Sequence, residues 1–171
     1  MIEPDTKDWT WVLERRCAEC GYDAARLARE QVAPAVRDSA ACWPSVLARA
    51  GAGERPDART WSPLEYGCRV RDVLRLYDER LHLMLDQDDP LYANWDQDAT
   101  ALADRYEQQD PAVVGAQVVA AGERVASAFD GLTDAQWGRR GRRSDGARFT
   151  VESFSRYFVH DLVHHRQDVR G

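Results

Sequence analysis

The sequence predicts an all-α protein, built as a bundle of four amphipathic helices with long connections between them. Apolar residues recur at the three- and four-residue spacing of a helix face in four separate segments. Three of these segments begin with residues that cap helices. The chain has 171 residues, 44% of them hydrophobic, which suffices for one core and is short for two. We therefore expect a single domain, with residues 1–30 as an N-terminal extension and residues 31–171 as the bundle.

The first two helices are predicted on either side of a turn rich in glycine and alanine. Residues 31–49 form an amphipathic segment that contains Pro44, a residue type that bends helices. The second helix, from about Pro63 to Leu85, begins at a capping box in which Ser62 is the N-cap and Glu65 is at N3. Its apolar stripe consists of Tyr66, Val70, Val73, Leu74, Tyr77, Leu81, Met84 and Leu85.

The third and fourth helices are also marked by their caps. Asp110, followed by Pro111, predicts the start of the third helix, and Gly131 its end. Thr150 caps the fourth helix, whose apolar stripe consists of Val151, Phe154, Phe158 and Leu162. The connections 88–109 and 132–149 are rich in polar and aromatic residues, and long connections in a compact domain are often functional.

Composition and charge exclude several classes of partner. The net charge of -6 argues against nucleic acid, because phosphate binding normally requires a basic surface. The arginines of residues 139–148 lie in one short loop. Exposure to solvent or pairing with acidic residues is a simpler interpretation of them than a phosphate site. No apolar run reaches the length of a membrane span and no signal peptide follows Met1, so we expect a cytoplasmic protein that acts on a small molecule.

The histidines are concentrated near the end of the chain. Three of the four lie at positions 160, 164 and 165 in the fourth predicted helix. His160 and His164 are one helical turn apart on the same face, close enough to bind one metal ion. The sequence therefore predicts part of a metal site, with the remaining ligand supplied by another element.

Two of the four cysteines, Cys17 and Cys20, form a lone CxxC motif in the N-terminal extension. A zinc site would require a second pair or suitably spaced histidines, and a thioredoxin-like motif would require a βαβ context that is absent here. The motif alone therefore gives little support to metal or redox chemistry. Cys42 and Cys68 fall inside helical patterns and are predicted to be small buried hydrophobic residues.

The order of four helices, a Trp-Ser-Pro-Leu-Glu entry into the second and a His-x-x-x-His pair in the fourth resemble one known family. This is the DinB-like, or YfiT-like, family of four-helix bundles, which includes metal-dependent hydrolases and thiol-dependent S-transferases. The resemblance covers nearly the whole chain. Four strings are especially similar to an actinobacterial branch of the family: residues 8–14, 61–66, 94–100 and 141–150.

The resemblance implies a divalent metal, zinc or nickel, held by one histidine of the second helix and two of the fourth. The fourth-helix pair carries over onto His160 and His164, but the second-helix position holds Arg69. A guanidinium stays protonated at physiological pH and has no lone pair to donate. The resemblance also implies a low-molecular-weight thiol partner, mycothiol in an actinobacterial protein, and homodimers in several members.

Three interpretations of the Arg69 position remain open at this stage. In the first, a substitute ligand such as Cys68, His165, Asp72 or a loop carboxylate completes a metal site for hydrolysis or thiol transfer. In the second, the site works without metal as an isomerase, lyase or cyclase: Arg69 holds an anion, and His160 or His164 acts as the general acid or base. We favour the second. In the third, the pocket binds a small molecule without catalysis, or Arg69 is merely neutralised by Glu65 or Asp72 and the histidines form hydrogen bonds in the core.

The predicted substrate-binding residues are drawn from the second helix, the first long connection and the fourth helix. They are Arg69, Glu65, Asp72, Trp95 and Tyr157. Catalysis or ligand binding requires a concave cavity between the second and fourth helices, whereas a purely structural role of these residues predicts packed apolar side chains there.

Overall fold

The structure, a computed structural model, describes residues 8–171. Its α-helices are α1 (Val32–Ala41), α2 (Trp43–Leu47), α3 (Pro63–Asp86), α4 (Gln97–Ala103), α5 (Pro111–Asp130), α6 (Asp134–Trp137) and α7 (Val151–Asp168). The four predicted helices are confirmed as α1 with α2, α3, α5 and α7. Within residues 8–171, no helix is both long and apolar enough to cross a membrane.

The predicted caps are present at the start of the long helices. Ser62 Oγ accepts a hydrogen bond from the Glu65 amide at the start of α3, and the Glu65 side chain returns to the Ser62 amide. Asp110 accepts hydrogen bonds from the Ala112 and Val113 amides at the start of α5, and Thr150 accepts one from the Ser153 amide at the start of α7. The first predicted helix is divided at Cys42, and Pro44 lies in the first turn of α2, where a proline is tolerated.

The hydrophobic core lies where α5 packs against α1, α2 and α3, and where α7 packs against α1 and α3. The Tyr77 ring of α3 stacks on Phe154 and Phe158 of α7, with centroids 4.6 and 4.5 Å apart. The helices α1 and α5 approach closely at Gly122, where a Cβ atom would lie 2.6 Å from the Ala40 methyl group. The packing of α3 on α7 therefore depends on aromatic stacking, and the packing of α1 on α5 depends on the glycine at position 122.

A small three-stranded sheet, which the sequence analysis did not predict, joins the two long connections. Its strands are β1 (Leu91–Tyr92), β2 (Arg140–Arg143) and β3 (Arg148–Thr150), with β1 parallel to β2 and β2 antiparallel to β3. The arginine-rich loop is thus a β-hairpin, turned at Gly146 with a φ of +100°. It packs beside the ends of α3 and α7, which places its inward side chains near the predicted site.

Residues 8–31, called here the N-terminal arm, lie across α7. The arm consists of 3₁₀ turns at Thr10–Leu13, Ala24–Arg26 and Arg29–Gln31 joined by loops. The Tyr22 hydroxyl donates a hydrogen bond to the carbonyl of Arg156 in α7, at 2.8 Å. Residues 1–7 of the predicted extension lie outside the described residues.

Candidate functional site: a cavity and a cysteine–histidine cluster

A cavity of about 1190 Å³ lies between α3 and α7. The N-terminal arm, the segment 94–98 and the β2–β3 hairpin complete its walls. Five of the predicted site residues line it: Arg69, Trp95, Tyr157, His160 and His164. The structure therefore brings together most of the residues that the sequence analysis selected.

Two predicted substrate-binding residues, Glu65 and Asp72, are not part of the cavity lining. Glu65 is buried at the start of α3, where it caps the helix and pairs with Arg55. Asp72 pairs with Arg71, at 2.8 Å, and accepts a hydrogen bond from the Tyr106 hydroxyl at 2.6 Å. Both carboxylates are thus engaged by protein groups of α3 and its neighbours and lie outside the cavity lining.

Arg69 lines the cavity, and its guanidinium forms hydrogen bonds with side chains of the protein. Its Nε donates a hydrogen bond to His165 Nε2 at 2.6 Å, its Nη1 donates to Gln97, and its Nη2 lies 3.5 Å from Asp161 Oδ1. Neither Glu65 nor Asp72 neutralises it, contrary to one of the interpretations above. A protonated side chain in this position cannot be the third ligand of a three-histidine metal site, so the ligand set implied by the resemblance does not fit this chain.

His165 belongs to the Arg69 network rather than to the His160 and His164 pair. Its Nδ1 lies 2.9 Å from Asp168 Oδ2, and its Nε2 faces Arg69 Nε. The neutral tautomer with the proton on Nδ1 satisfies both contacts. His165 is therefore not the substitute metal ligand considered above, and Cys68, which is fully buried beside the Tyr106 carbonyl, is not one either.

The helix α7 also meets the N-terminal arm in a cysteine–histidine cluster that was not predicted from the sequence. One ligand atom each from Cys17, Cys20, His160 and His164 lies within 4.8 Å of the other three. In a tetrahedral zinc site, bonds of about 2.3 Å to sulfur and about 2.0 Å to nitrogen separate neighbouring ligand atoms by about 3.3 to 3.8 Å. To reach that geometry, the widest pair of ligand atoms in the cluster needs to approach by at most about 1 to 1.5 Å.

His160 is in the state that a metal ligand requires. It is only 4% exposed, and its Nε2 is buried without a hydrogen-bond partner among the described residues. Burial, followed by the neighbouring His164, lowers the pKa of His160 to about 4. The imidazole is therefore neutral at physiological pH, with a buried nitrogen that no described protein group satisfies.

His164 and the two cysteines complete the fit. His164 Nδ1 lies 3.9 Å from Cys17 Sγ, and His164 Nε2 lies 3.4 Å from Glu19 Oε2. A carboxylate on the second nitrogen is typical of metal-binding histidines. Burial raises the pKa of Cys20 to about 11, so without metal it is a thiol rather than the low-pKa thiolate of a redox pair.

A signal for this cluster was present in the sequence. Cys-x-x-Cys followed by His-x-x-x-His is the usual spacing of a zinc site with two cysteines and two histidines. In such sites, however, the two pairs are normally close along the chain, and here most of the chain separates them. Only the folding of the N-terminal arm across α7 shows that they meet.

Comparison with known proteins supports the assignment of the fold. The family model described as the DinB superfamily matches residues 17–169. A solved structure of YfiT from Bacillus subtilis, described as a probable metal-dependent hydrolase with an unusual four-helix bundle topology, superposes with a TM-score of 0.69. The match has 18% sequence identity and covers 84% of this chain and 87% of YfiT. The comparison with curated proteins gives no match.

Because the family model spans nearly the whole chain and the bundle superposes on that of YfiT, the chain belongs to the DinB superfamily.

Proposed function

We propose that this protein binds a divalent metal, zinc in preference to nickel, through Cys17, Cys20, His160 and His164, and holds a small molecule in the adjoining cavity. The convergence of four ligand atoms within 4.8 Å carries the proposal. Two thiolates and two imidazoles in a tetrahedral arrangement are a typical zinc set, since thiolates disfavour harder cations.

The number of protein ligands indicates what the metal would do. Four protein ligands complete a tetrahedral site, whereas catalytic zinc sites keep one position for water or substrate. When bound, zinc would supply a cross-link between the N-terminal arm and α7. Trp9 and Thr10 of the arm line the cavity, so this cross-link would fix one wall of the small-molecule site.

Metal-assisted hydrolysis or thiol transfer is a second candidate. It is favoured by one observation, namely that His160 and His164 line the cavity as well as the cluster. The description of YfiT as a probable metal-dependent hydrolase is consistent with it. The reaction would require a substrate, or a thiol such as mycothiol, to displace one of the four protein ligands.

Metal-independent acid–base chemistry, with Arg69 holding an anion, is the weaker alternative. A pKa of about 4 leaves His160 almost entirely unprotonated near neutral pH, which makes it a poor general acid. Arg69 is also already engaged by Asp161 and His165. Activity that survives complete removal of metal would support this alternative.

Elemental analysis of the purified, untagged protein tests the metal site. We expect about one equivalent of zinc to remain after extensive dialysis and to be lost in Cys17→Ser, Cys20→Ser and His164→Ala. Cobalt substitution should give the intense near-ultraviolet absorption of thiolate ligation and the visible bands of a tetrahedral ion. Cys42→Ser is the matched control, because Cys42 follows the last residue of α1 and is not part of the cluster. Its replacement should leave the zinc content unchanged.

Two results would contradict the proposal. If the protein retains no zinc after incubation with the metal, the cluster does not bind it. If zinc is retained equally by wild type and by both cysteine variants, the ligands are elsewhere and a histidine-based site must be sought.

A further inference from the structure

Three arginines of α3 are buried, and they differ in their partners. Arg69, Arg71 and Arg80 are 9%, 5% and 6% exposed. Arg69 has Asp161 beside it, and Arg71 has Asp72. Arg80 forms no ion pair with any carboxylate of residues 8–171. A buried charge without a partner is expensive, so an unpaired arginine in this position requires an explanation.

The protein groups around Arg80 satisfy only part of its hydrogen-bonding capacity. A guanidinium has five N–H donors. Within the described residues, the side chain of Arg80 donates one hydrogen bond, from Nη2 to the Ala93 carbonyl at 2.7 Å. Its guanidinium carbon lies 4.8 Å from the centre of the Tyr92 ring and 5.8 Å from that of Tyr77. Burial, which disfavours the charged form, lowers the pKa of Arg80.

Arg80 lines the cavity between α3 and α7, so its remaining N–H groups could donate hydrogen bonds to a ligand in that cavity. Arg143 of β2 also lines the cavity, and its positive charge repels that of Arg80. The charge of Arg143 is matched by Asp145 at 2.9 Å, and its Nη1 lies 3.4 Å from the Tyr157 hydroxyl. Asp8, which also lines the cavity, interacts electrostatically with Arg143 as well. The carboxylates at this end of the cavity thus lie by Arg143, and none of residues 8–171 places a carboxylate within ion-pair distance of Arg80.

We propose that Arg80 binds the carboxylate of a small organic acid held in the cavity. A single guanidinium with no carboxylate beside it matches a monoanion, whereas a phosphate group near neutral pH carries more negative charge and is usually held by several cations or backbone amides. A planar carboxylate can also accept two parallel hydrogen bonds from one guanidinium. The inference rests on the part of the proposed function that places a small molecule in the cavity, and it is independent of the metal.

The walls of the cavity indicate the rest of the ligand. Arg69 and Arg80 are eleven residues apart on α3, which separates their Cα atoms by about 16 Å along the helix. Trp61 and Trp95 lie near the Arg69 end, each with its ring centre 5.8 Å from that guanidinium, and Tyr77 lies near the Arg80 end. Aromatic walls between the two ends favour a ligand with a flat apolar body.

Benzoate is a suitable probe, with benzamide as its uncharged counterpart and inorganic phosphate as the alternative anion. Binding is followed by the quenching of tryptophan fluorescence and by the shift in melting temperature of the zinc-loaded protein. We expect saturable binding of benzoate, no measurable binding of benzamide, weaker binding of phosphate, and an affinity for benzoate at least tenfold lower in Arg80→Met. Arg59→Gln, which removes an exposed arginine at the cavity margin, should bind benzoate as wild type does.

The ligand-free Arg80→Met protein gives a second readout. Methionine fills a similar volume without a charge, so its melting temperature should equal or exceed that of wild type, as expected when an uncompensated buried charge is removed. A large fall in melting temperature together with unchanged benzoate affinity would show that Arg80 is a structural residue and overturn the proposal. Failure of wild type to bind benzoate, or equal binding of benzamide, would also overturn it.

The metal and the carboxylate site can be tested separately. Zinc content should be unchanged in Arg80→Met, while benzoate binding is lost. If benzoate binding instead disappears in Cys20→Ser and persists in Arg80→Met, the carboxylate binds the metal, and the assignment to Arg80 is wrong. A protein that lacks zinc altogether but binds benzoate through Arg80 would contradict only the proposed function.

Discussion

Arg69 and Arg80 stand on the same helix and both line the cavity, yet only Arg69 has a carboxylate beside it. Arg69 is distinctive in the sequence because it occupies a ligand position in the family pattern, whereas no motif in the sequence distinguishes Arg80. The sequence shows residue types, but it does not show which buried charge lacks a partner. That property depends on Asp161 of α7, which folding brings to within 3.5 Å of Arg69.

Glu65 shows the converse case, a charged residue whose role is structural. Burial would raise the pKa of its carboxyl group, but the hydrogen bonds from Arg55 and Ser62 outweigh burial and hold the pKa below its ordinary value. A lowered folded-state pKa means that ionisation stabilises the fold above the ordinary pKa. This contribution is lost as the pH falls through the folded-state pKa.

We therefore expect Glu65→Gln to destabilise the protein by about 1 to 2 kcal/mol at pH 7, since glutamine keeps the capping reach but loses the charge that pairs with Arg55. The difference from wild type should shrink as the pH falls below about 4.3, where the carboxyl group of the unfolded chain becomes protonated while that of the folded protein is still ionised. Urea unfolding at pH 7, 5 and 3.5 measures it. Glu79→Gln, an exposed position on the same helix, should differ little from wild type at any of these pH values. A constant difference across this range would show that the charge of Glu65 is irrelevant.

At the scale of the elements, local signals predicted the long helices well. Ser62, Asp110 and Thr150 each cap the helix that they were predicted to cap. These signals are short-range, since a cap is formed within four residues of its helix. The small sheet was missed because its strands are two to four residues long and are paired by the packing of distant connections rather than by a local hairpin pattern alone.

The close contact of α1 and α5 gives a prediction at this scale. A methyl group at position 122 would lie 2.6 Å from the Ala40 methyl group, so Gly122→Ala should force the two helices apart. The expected loss is about 1 to 3 kcal/mol, even though alanine is the better helix former. Thermal unfolding measures the effect.

Gly131→Ala is the matched control for Gly122→Ala. It lies just after α5, and its added methyl group would approach no atom more closely than 3.7 Å. Its φ of -80° is open to any residue. Equal melting temperatures for the two variants would show that the close helix contact does not limit the packing.

At the scale of the whole molecule, the cysteine–histidine cluster joins the two ends of the chain. Cys17 and Cys20 come from the N-terminal arm, and His160 and His164 come from the last helix. Each half was visible in the sequence, but neither half alone makes a site. Their meeting depends on the arm, whose 3₁₀ turns and loops carry no periodic pattern from which its path across α7 could be predicted.

This arrangement makes the arm the element most sensitive to metal. Zinc bound to all four residues would add stability to the native state in proportion to its affinity, because the unfolded chain does not hold the ligands together. Removal of zinc should therefore loosen the arm before it affects the bundle, because the hydrophobic core among α1, α3, α5 and α7 contains none of the four ligand residues. Hydrogen exchange measured by mass spectrometry can resolve the two regions.

We expect peptides from residues 10–22 to exchange at least tenfold faster in the metal-free protein than in the zinc-loaded protein, while peptides from the middle of α5 exchange at the same rate in both. In Cys20→Ser the arm should exchange rapidly whether or not zinc is added, which separates loss of the site from any other effect of the chelator. If the arm of wild type exchanges equally slowly with and without metal, then its packing on α7, through contacts such as Tyr22 with Arg156, holds it in place unaided. In that case the cavity wall does not depend on zinc, and a bound metal would have to act on the ligand in the cavity instead.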